Sequence, residues 1–277
     1  MIKLGRIGYL NVLPIYHPVE TGLVENDCKI VSGPPSALNK LMDQGELQVS
    51  SCSSVEYARH AEKYYLVPDI AIGSCGPVQS VLLLSRRPVD ELDGRTILVS
   101  SQTHTSAALL KVLTTLHWRV NAKFVTGDAT AILDKGELPE AILCIGDEAL
   151  NLRRHPEYPI RVDLGEAWRS QTGLPFIFGV WIASRDAWDR DRGSVEKACR
   201  TLLRGKQWGV DNIQSICTLA AESSHMTSKE MCSYFDGLVY DLGPGEQLGL
   251  RHFYTQLVKI GLIEKVPELE FLPDFTL

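Results

Sequence analysis

Apolar and polar positions along this chain switch repeatedly between a period of two and a period near 3.6. "KLGRIGYL" (3–10) reads as a strand that closes at Asn11. "PPSALNKLMDQGE" (34–46) sets Ala37, Leu38, Leu41 and Met42 at helical spacing, behind Pro34 and Pro35 and ahead of Gly45. "LQVSSCS" (47–53) predicts a short strand and "SVEYARHAEKY" (54–64) a helix. "VQSVLLLS" (78–85) is a continuous apolar run, suited to a strand buried on both faces. Strands are predicted over 95–100, 140–147 and 176–184, and helices over 104–117 and 128–138. Beyond residue 190 the pattern is helical, over 195–210, 212–222, 228–238 and 245–261. Strands alternating with helices argue an α/β protein with mostly parallel sheets.

The pattern also repeats. Gly45-Glu46-Leu47 answers Gly136-Glu137-Leu138 at an offset of 91 positions, and the same offset lays Asn11 over Gln102. Two similar lobes fit this better than one continuous sheet. Extended segments at 81–92 and 178–188 are placed as the crossings. The expected division is a discontinuous first lobe, 1–86 plus 186–277, and a second lobe, 87–185, with a ligand cleft between them. Strand C-termini would line that cleft.

With 277 residues, 44% hydrophobic and 22% charged, the chain can bury a sizeable core. A formal net charge of -6 argues against a nucleic-acid partner. No apolar run is long enough to span a membrane, and the N-terminus lacks a secretory h-region. A cytoplasmic monomer or homodimer is expected, with no membrane partner. The seven cysteines (28, 52, 75, 144, 199, 217, 232) include no C-x-x-C pair, so reduced, mostly buried thiols are expected. No metal-ligand spacing occurs.

Candidate chemistry gathers where predicted strands end. "VSSQTHTSAALLKVL" carries five hydroxyl residues in seven positions: Ser100, Ser101, Thr103, Thr105 and Ser106. One N-cap explains one hydroxyl; a set of them at a helix start suits a bound carboxylate. Asn11, Ser53 and Ser54, the Gly76-Pro77 turn, Ser80, Gly146 and Asp147 occupy comparable places. Asp147 reads either as a helix cap or as a polar partner for a ligand. His104 reads as an exposed loop histidine rather than a base. Among Trp168, Phe176, Phe178 and Trp181, core packing competes with one ring in the cleft, and Trp181 is included among the binding candidates. Nucleotide, phosphate-loop and serine-hydrolase motifs are missing.

"GRIGYLNVLPIY", "GELQVSSCSSVEYAR", "DIAIGSCGPVQSVLLLS", "SSQTHTSAALLKVL", "IGDEAL" and "TGLPFIFGVWIASRD" together resemble the chorismate dehydratases of the futalosine route to menaquinone. The resemblance runs collinearly from residue 5 to about 186. It implies a two-lobed type II periplasmic-binding-protein-like fold and conversion of the small-molecule substrate chorismate to 3-[(1-carboxyvinyl)oxy]benzoate and water, with no cofactor and no metal. Asn11 and Ser80 would be the catalytic pair. Ser53, Gly76, Pro77, Ser100, Ser101, Thr105, Ser106, Gly146, Asp147 and Trp181 would bind substrate. A non-catalytic solute-binding protein of the same fold, and the sister 1,4-dihydroxy-6-naphthoate synthase, are the competing readings. The sister enzyme opens on a different, Ser-Pro-Cys-Pro-like motif, where this chain has "YLNVLP".

Overall fold

A computed structural model describes residues 1–100 and 104–275. Ser101, Gln102 and Thr103, three of the residues singled out above, lie outside the described residues. The first half runs β1 (Lys3–Ile7), α1 (Leu13–Glu20), β2 (Lys29–Gly33), α2 (Pro35–Asp43), β3 (Val49–Ser53), α3 (Ser54–Arg59) and the long β4 (Tyr64–Ser74). β5 (Val81–Ser85) follows. Then the order repeats: β6 (Thr96–Ser100), α4 (Thr105–Val112), β7 (Lys123–Gly127), α5 (Ala129–Asp134), β8 (Ala141–Ile145), α6 (Gly146–Leu152), β9 (Ile160–Asp163) and α7 (Leu164–Thr172). β10 (Phe176–Ser184) leads into α8 (Arg185–Arg190), α9 (Arg192–Asp211), α10 (Ile213–Glu222), α11 (Ser228–Asp236) and α12 (Pro244–Lys259).

Two five-stranded sheets result, ordered β2-β1-β3-β10-β4 and β7-β6-β8-β5-β9. They are topological copies, which accounts for the repeat in the sequence. Each has parallel β1/β2/β3-type pairs and one antiparallel strand inserted next to last. That inserted strand comes from the other half of the chain. β5 pairs with β8 and β9, so it belongs to the second sheet, and β10 pairs with β3 and β4, so it belongs to the first. The expected boundaries at 86/87 and 185/186 therefore sit one strand too late. The chain crosses at residues 75–80 and again at 173–175. Periodicity identifies a doubly buried strand but not the sheet that covers it.

β5 is buried along its whole length. Leu83 faces the main core, while Leu82 and Leu84 join Ile142, Cys144 and Tyr158 on the opposite face. Each such apolar side chain contributes about 2 kcal/mol by leaving water. The helical tail packs mainly on the first lobe. α9 crosses α1 so closely that a Cβ at Gly205 or Gly209 would run into the carbonyls of Ile15 or Pro14. α10 and α11 are joined by a Cys217–Cys232 disulfide, with Cα atoms 5.2 Å apart. This corrects the expectation of seven free thiols: two antiparallel helices bring together cysteines whose spacing of 15 carries no signal. Among the described residues no helix is long and apolar enough to cross a membrane.

Two histidines are placed by α12: His252 lies within it and His117 beside it. His117 follows α4, and His252 packs on Trp168 with its Nε2 3.0 Å from Gln256 Nε2. Burial, aided by Lys259, holds both below the ordinary histidine range. The unfolded chain therefore binds more protons than the folded one once pH falls below about 6.5. Stability contributed above that pH is lost on acidification. We expect Tm to fall between pH 7.5 and 5.5, and to fall less in a His117→Gln, His252→Gln double variant. An identical pH dependence in the two proteins would exclude the histidines as its source.

Candidate functional site

The cavity lies between the two sheets, where β1, β3 and β8 end and α4 begins. It occupies about 690 Å³ including its open mouth. Its apolar wall comes from Ile7, Ile72, Val81, Ile145 and Phe178. Polar groups enter at strand ends and turns: Asn11 from the 3₁₀ turn between β1 and α1, Ser53 at the end of β3, Ser80 ahead of β5, and Thr105 and Ser106 at the start of α4. Among the described residues no Lys, Arg, Asp or Glu lines it, and no group of three or more His, Cys, Asp or Glu could hold a metal.

Helix ends supply the electrostatics instead. In the second lobe, α5 and α7 are capped by the carboxylates of Asp128 and Asp163. α4 and α6, whose N-termini open on the cavity, have no side-chain cap. Their first-turn N–H groups lack partners within the helix and carry the positive end of the dipole. Such a pair of ends can hold an anion without a cationic side chain.

Asn11 is not the end of β1, which stops at Ile7. It lies four residues on, where Tyr240 Oη donates to its backbone carbonyl at 3.0 Å. Its side-chain Oδ1 is buried, with no hydrogen-bond partner. An unfilled carboxamide acceptor in an apolar wall costs about 1–3 kcal/mol, which a ligand donor would relieve. Ser80 is 3% exposed. Its Oγ accepts from Tyr234 Oη at 3.1 Å, and its backbone carbonyl accepts from Gly146 N at 2.7 Å. Thr105 Oγ1 accepts from Val55 N at 3.3 Å and lies 3.3 Å from Ser54 Oγ, so its hydroxyl also ties the second lobe to α3. Ser53 caps α3 through Glu56 N at 3.1 Å.

Gly146 takes a left-handed φ of +55°, and a Cβ there would come within 2.9 Å of the Tyr9 ring. Glycine lets Tyr9 lie across the start of α6. The Tyr9 phenol is pushed up to about 12 by burial, with Asp147 and Glu148 adding to the shift. Burial also raises the Asp147 and Glu148 carboxyls.

Several expected site residues stand elsewhere. Asp147 is neither a cap nor part of the wall: its Oδ1 accepts from Leu10 N at 3.3 Å, joining the lobes. Trp181 is fully buried, donating from Nε1 to Tyr16 Oη at 2.9 Å, so of the four aromatics considered it is Phe178 that lines the cavity, with Tyr9 beside it. Ser100 is buried at the end of β6, on a neighbouring recess with Thr130 and Glu148. Gly76 and Pro77 lie in the crossing at 75–80, off the cavity wall, because the chain turns there to change lobes. Tyr9, Tyr234 and Asp163 were not anticipated. Each acts over a long sequence separation that leaves no local pattern.

Solved structures with this architecture include protein AF1704 from Archaeoglobus fulgidus (TM-score 0.75, 18% identity, covering 95% of this chain and 98% of that one). Another is the periplasmic aliphatic sulphonate binding protein SsuA from Escherichia coli (TM-score 0.67, 13% identity, covering 97% and 95%). The fold is periplasmic-binding-protein-like. A chorismate dehydratase of Thermus thermophilus is 25% identical over 269 residues, 92% of this chain and 94% of that protein. A 1,4-dihydroxy-6-naphtoate synthase of the same organism is 25% identical over 201 residues, 72% of each. A family model described as menaquinone biosynthesis matches residues 2–259, and on that match the chain belongs to the menaquinone-biosynthesis family.

Proposed function

We propose that this protein is a chorismate dehydratase, forming 3-[(1-carboxyvinyl)oxy]benzoate and water. The observation that carries the reading is the convergence of Asn11 Oδ1, buried and unpartnered, with the Ser80 hydroxyl in an apolar cavity faced by two uncapped helix N-termini. Similarity to a chorismate dehydratase over nearly the whole chain supports it.

Chorismate brings two carboxylates and one ring hydroxyl. The first turn of α4, at Thr105 and Ser106, holds the ring carboxylate. That carboxylate acidifies the C3–H through the ring alkene. Asn11 and Ser80 orient the ring at C3 and C4, Asn11 Oδ1 accepting from the C4 hydroxyl. The C3 proton passes to the substrate's own enolpyruvyl carboxylate. The C3–H electron pair becomes the new ring double bond as the C4–O bond breaks, and the departing oxygen takes the proton to leave as water. Aromatisation drives the step, so positioning of the substrate carboxylate suffices even with a weak base, and the His104 ring, which also lines the cavity, is not required to take the proton.

The test is incubation of purified protein with chorismate, followed by ultraviolet absorbance and mass spectrometry. An aromatic product lighter by one water is expected. Chorismate bound but unchanged would favour the solute-binding reading. Neither binding nor turnover would turn attention to the sister synthase, which the chain also resembles.

A further inference from the structure

We propose that Tyr234 is a positioning residue for this reaction, aiming the Ser80 hydroxyl into the cavity from a helix that does not itself reach the substrate. The inference rests on the proposed role of Ser80. A serine hydroxyl has one proton and rotates freely unless something fixes it. Here Tyr234 Oη donates to Ser80 Oγ at 3.1 Å, which occupies one lone pair. Among the described residues, the Ser80 hydroxyl itself donates to the Val78 carbonyl, a long contact at 3.4 Å. With one lone pair taken by Tyr234 and only that long bond holding its proton, Ser80 is presented as a donor that a closer ligand acceptor can capture.

The tyrosine is built to stay a donor. It is 1% exposed, and burial raises its phenol well above the ordinary tyrosine value. Its helix, α11, is fastened to the same crossing that carries Ser80. Gln79 Nε2 donates to the Ser233 carbonyl at 2.9 Å, and Gly237 packs against the Pro77 carbonyl. Gln79 itself has a φ of +61°, a conformation that persists only where neighbours impose it. α11 therefore sets both the backbone before Ser80 and the direction of its side chain.

The experiment uses the full chain and chorismate turnover in wild type, Ser80→Ala, Tyr234→Phe and the double variant, with Tm measured throughout. Wild-type turnover and its loss in Ser80→Ala test the underlying reading. Tyr234→Phe tests this inference separately. We expect kcat to fall about tenfold in Tyr234→Phe with KM little changed, the cost of one well-placed hydrogen bond. We expect no further fall when it is added to Ser80→Ala, since the tyrosine then has nothing to aim. Full kcat in Tyr234→Phe, or losses that multiply in the double variant, would overturn the proposal. If Tyr234→Phe does not fold, Tyr234→4-aminophenylalanine keeps the ring and a para donor and should keep most of kcat, whereas Tyr234→4-fluorophenylalanine keeps the ring without a donor and should lose about tenfold; equal kcat in the two would be equally contrary.

Discussion

Asn11→Ala is expected to lower kcat for chorismate by about 10²-fold or more while leaving the fold intact, the loss seen when one pre-aimed polar contact to a transition state is removed. The side chain is well suited to a clean test. Its Oδ1 makes no bond within the protein, so truncation strands no partner there. The backbone is held independently, by Tyr240 on the Asn11 carbonyl. Tm should accordingly move little. If Asn11 acts on the reacting carbons, kcat and kcat/KM fall together; if it only helps the substrate to bind, KM rises and kcat stays. Turnover unchanged in both parameters would remove Asn11 from the site.

Asp163→Ala is expected to cost about 3 kcal/mol of stability, the sum of a lost N-cap and two lost charge-assisted bonds. Its carboxylate accepts four N–H groups. Gly165 and Glu166, at 2.9 and 3.2 Å, are the start of α7. Val78 and Gln79, at 3.0 and 2.6 Å, belong to the crossing between lobes. For a chain of this length the expected fall in Tm is about 6–12 °C. Asp163→Asn keeps one acceptor and should lose less. Activity should fall with Tm even below the melting range, because the residue after Gln79 is Ser80. An alanine variant that melts with the wild type would show that the crossing is held by other means.

Much of this architecture is legible in the sequence, and the failures have physical causes. The repeat at a spacing of 91 is real in space, since β1, β3 and α3 have counterparts in β6, β8 and α6. Asn11, Ser53, Ser80, Thr105, Ser106 and Gly146 do meet in one cavity. β2 and β7 were not foreseen because edge strands, half exposed, show little alternation. β4 was hidden by Pro68 and by Asp69, whose φ of +54° interrupts an otherwise buried run. Trp181 was placed in the site because large aromatics serve cores and clefts alike. It stands three residues past Phe178, an odd step that puts the two rings on opposite faces of a strand. Tyr234 reaches Ser80 across 154 positions, and pairing at that range is decided by how the tail helices pack.

The uncharged wall of the cavity has a thermodynamic corollary. On the proposed function, a substrate anion there cancels no fixed cation; it adds negative charge near Asp147 and Glu148, whose carboxyls burial already raises. Occupancy and protonation are then linked in both directions. In the pH range where either carboxyl titrates, filling the site would draw protons from solvent, and a more acidic solution would tighten the hold on the ligand. On the proposed function, the heat of substrate binding would then carry the ionisation enthalpy of the surrounding buffer, and equal heats in buffers of different ionisation enthalpy would exclude the coupling.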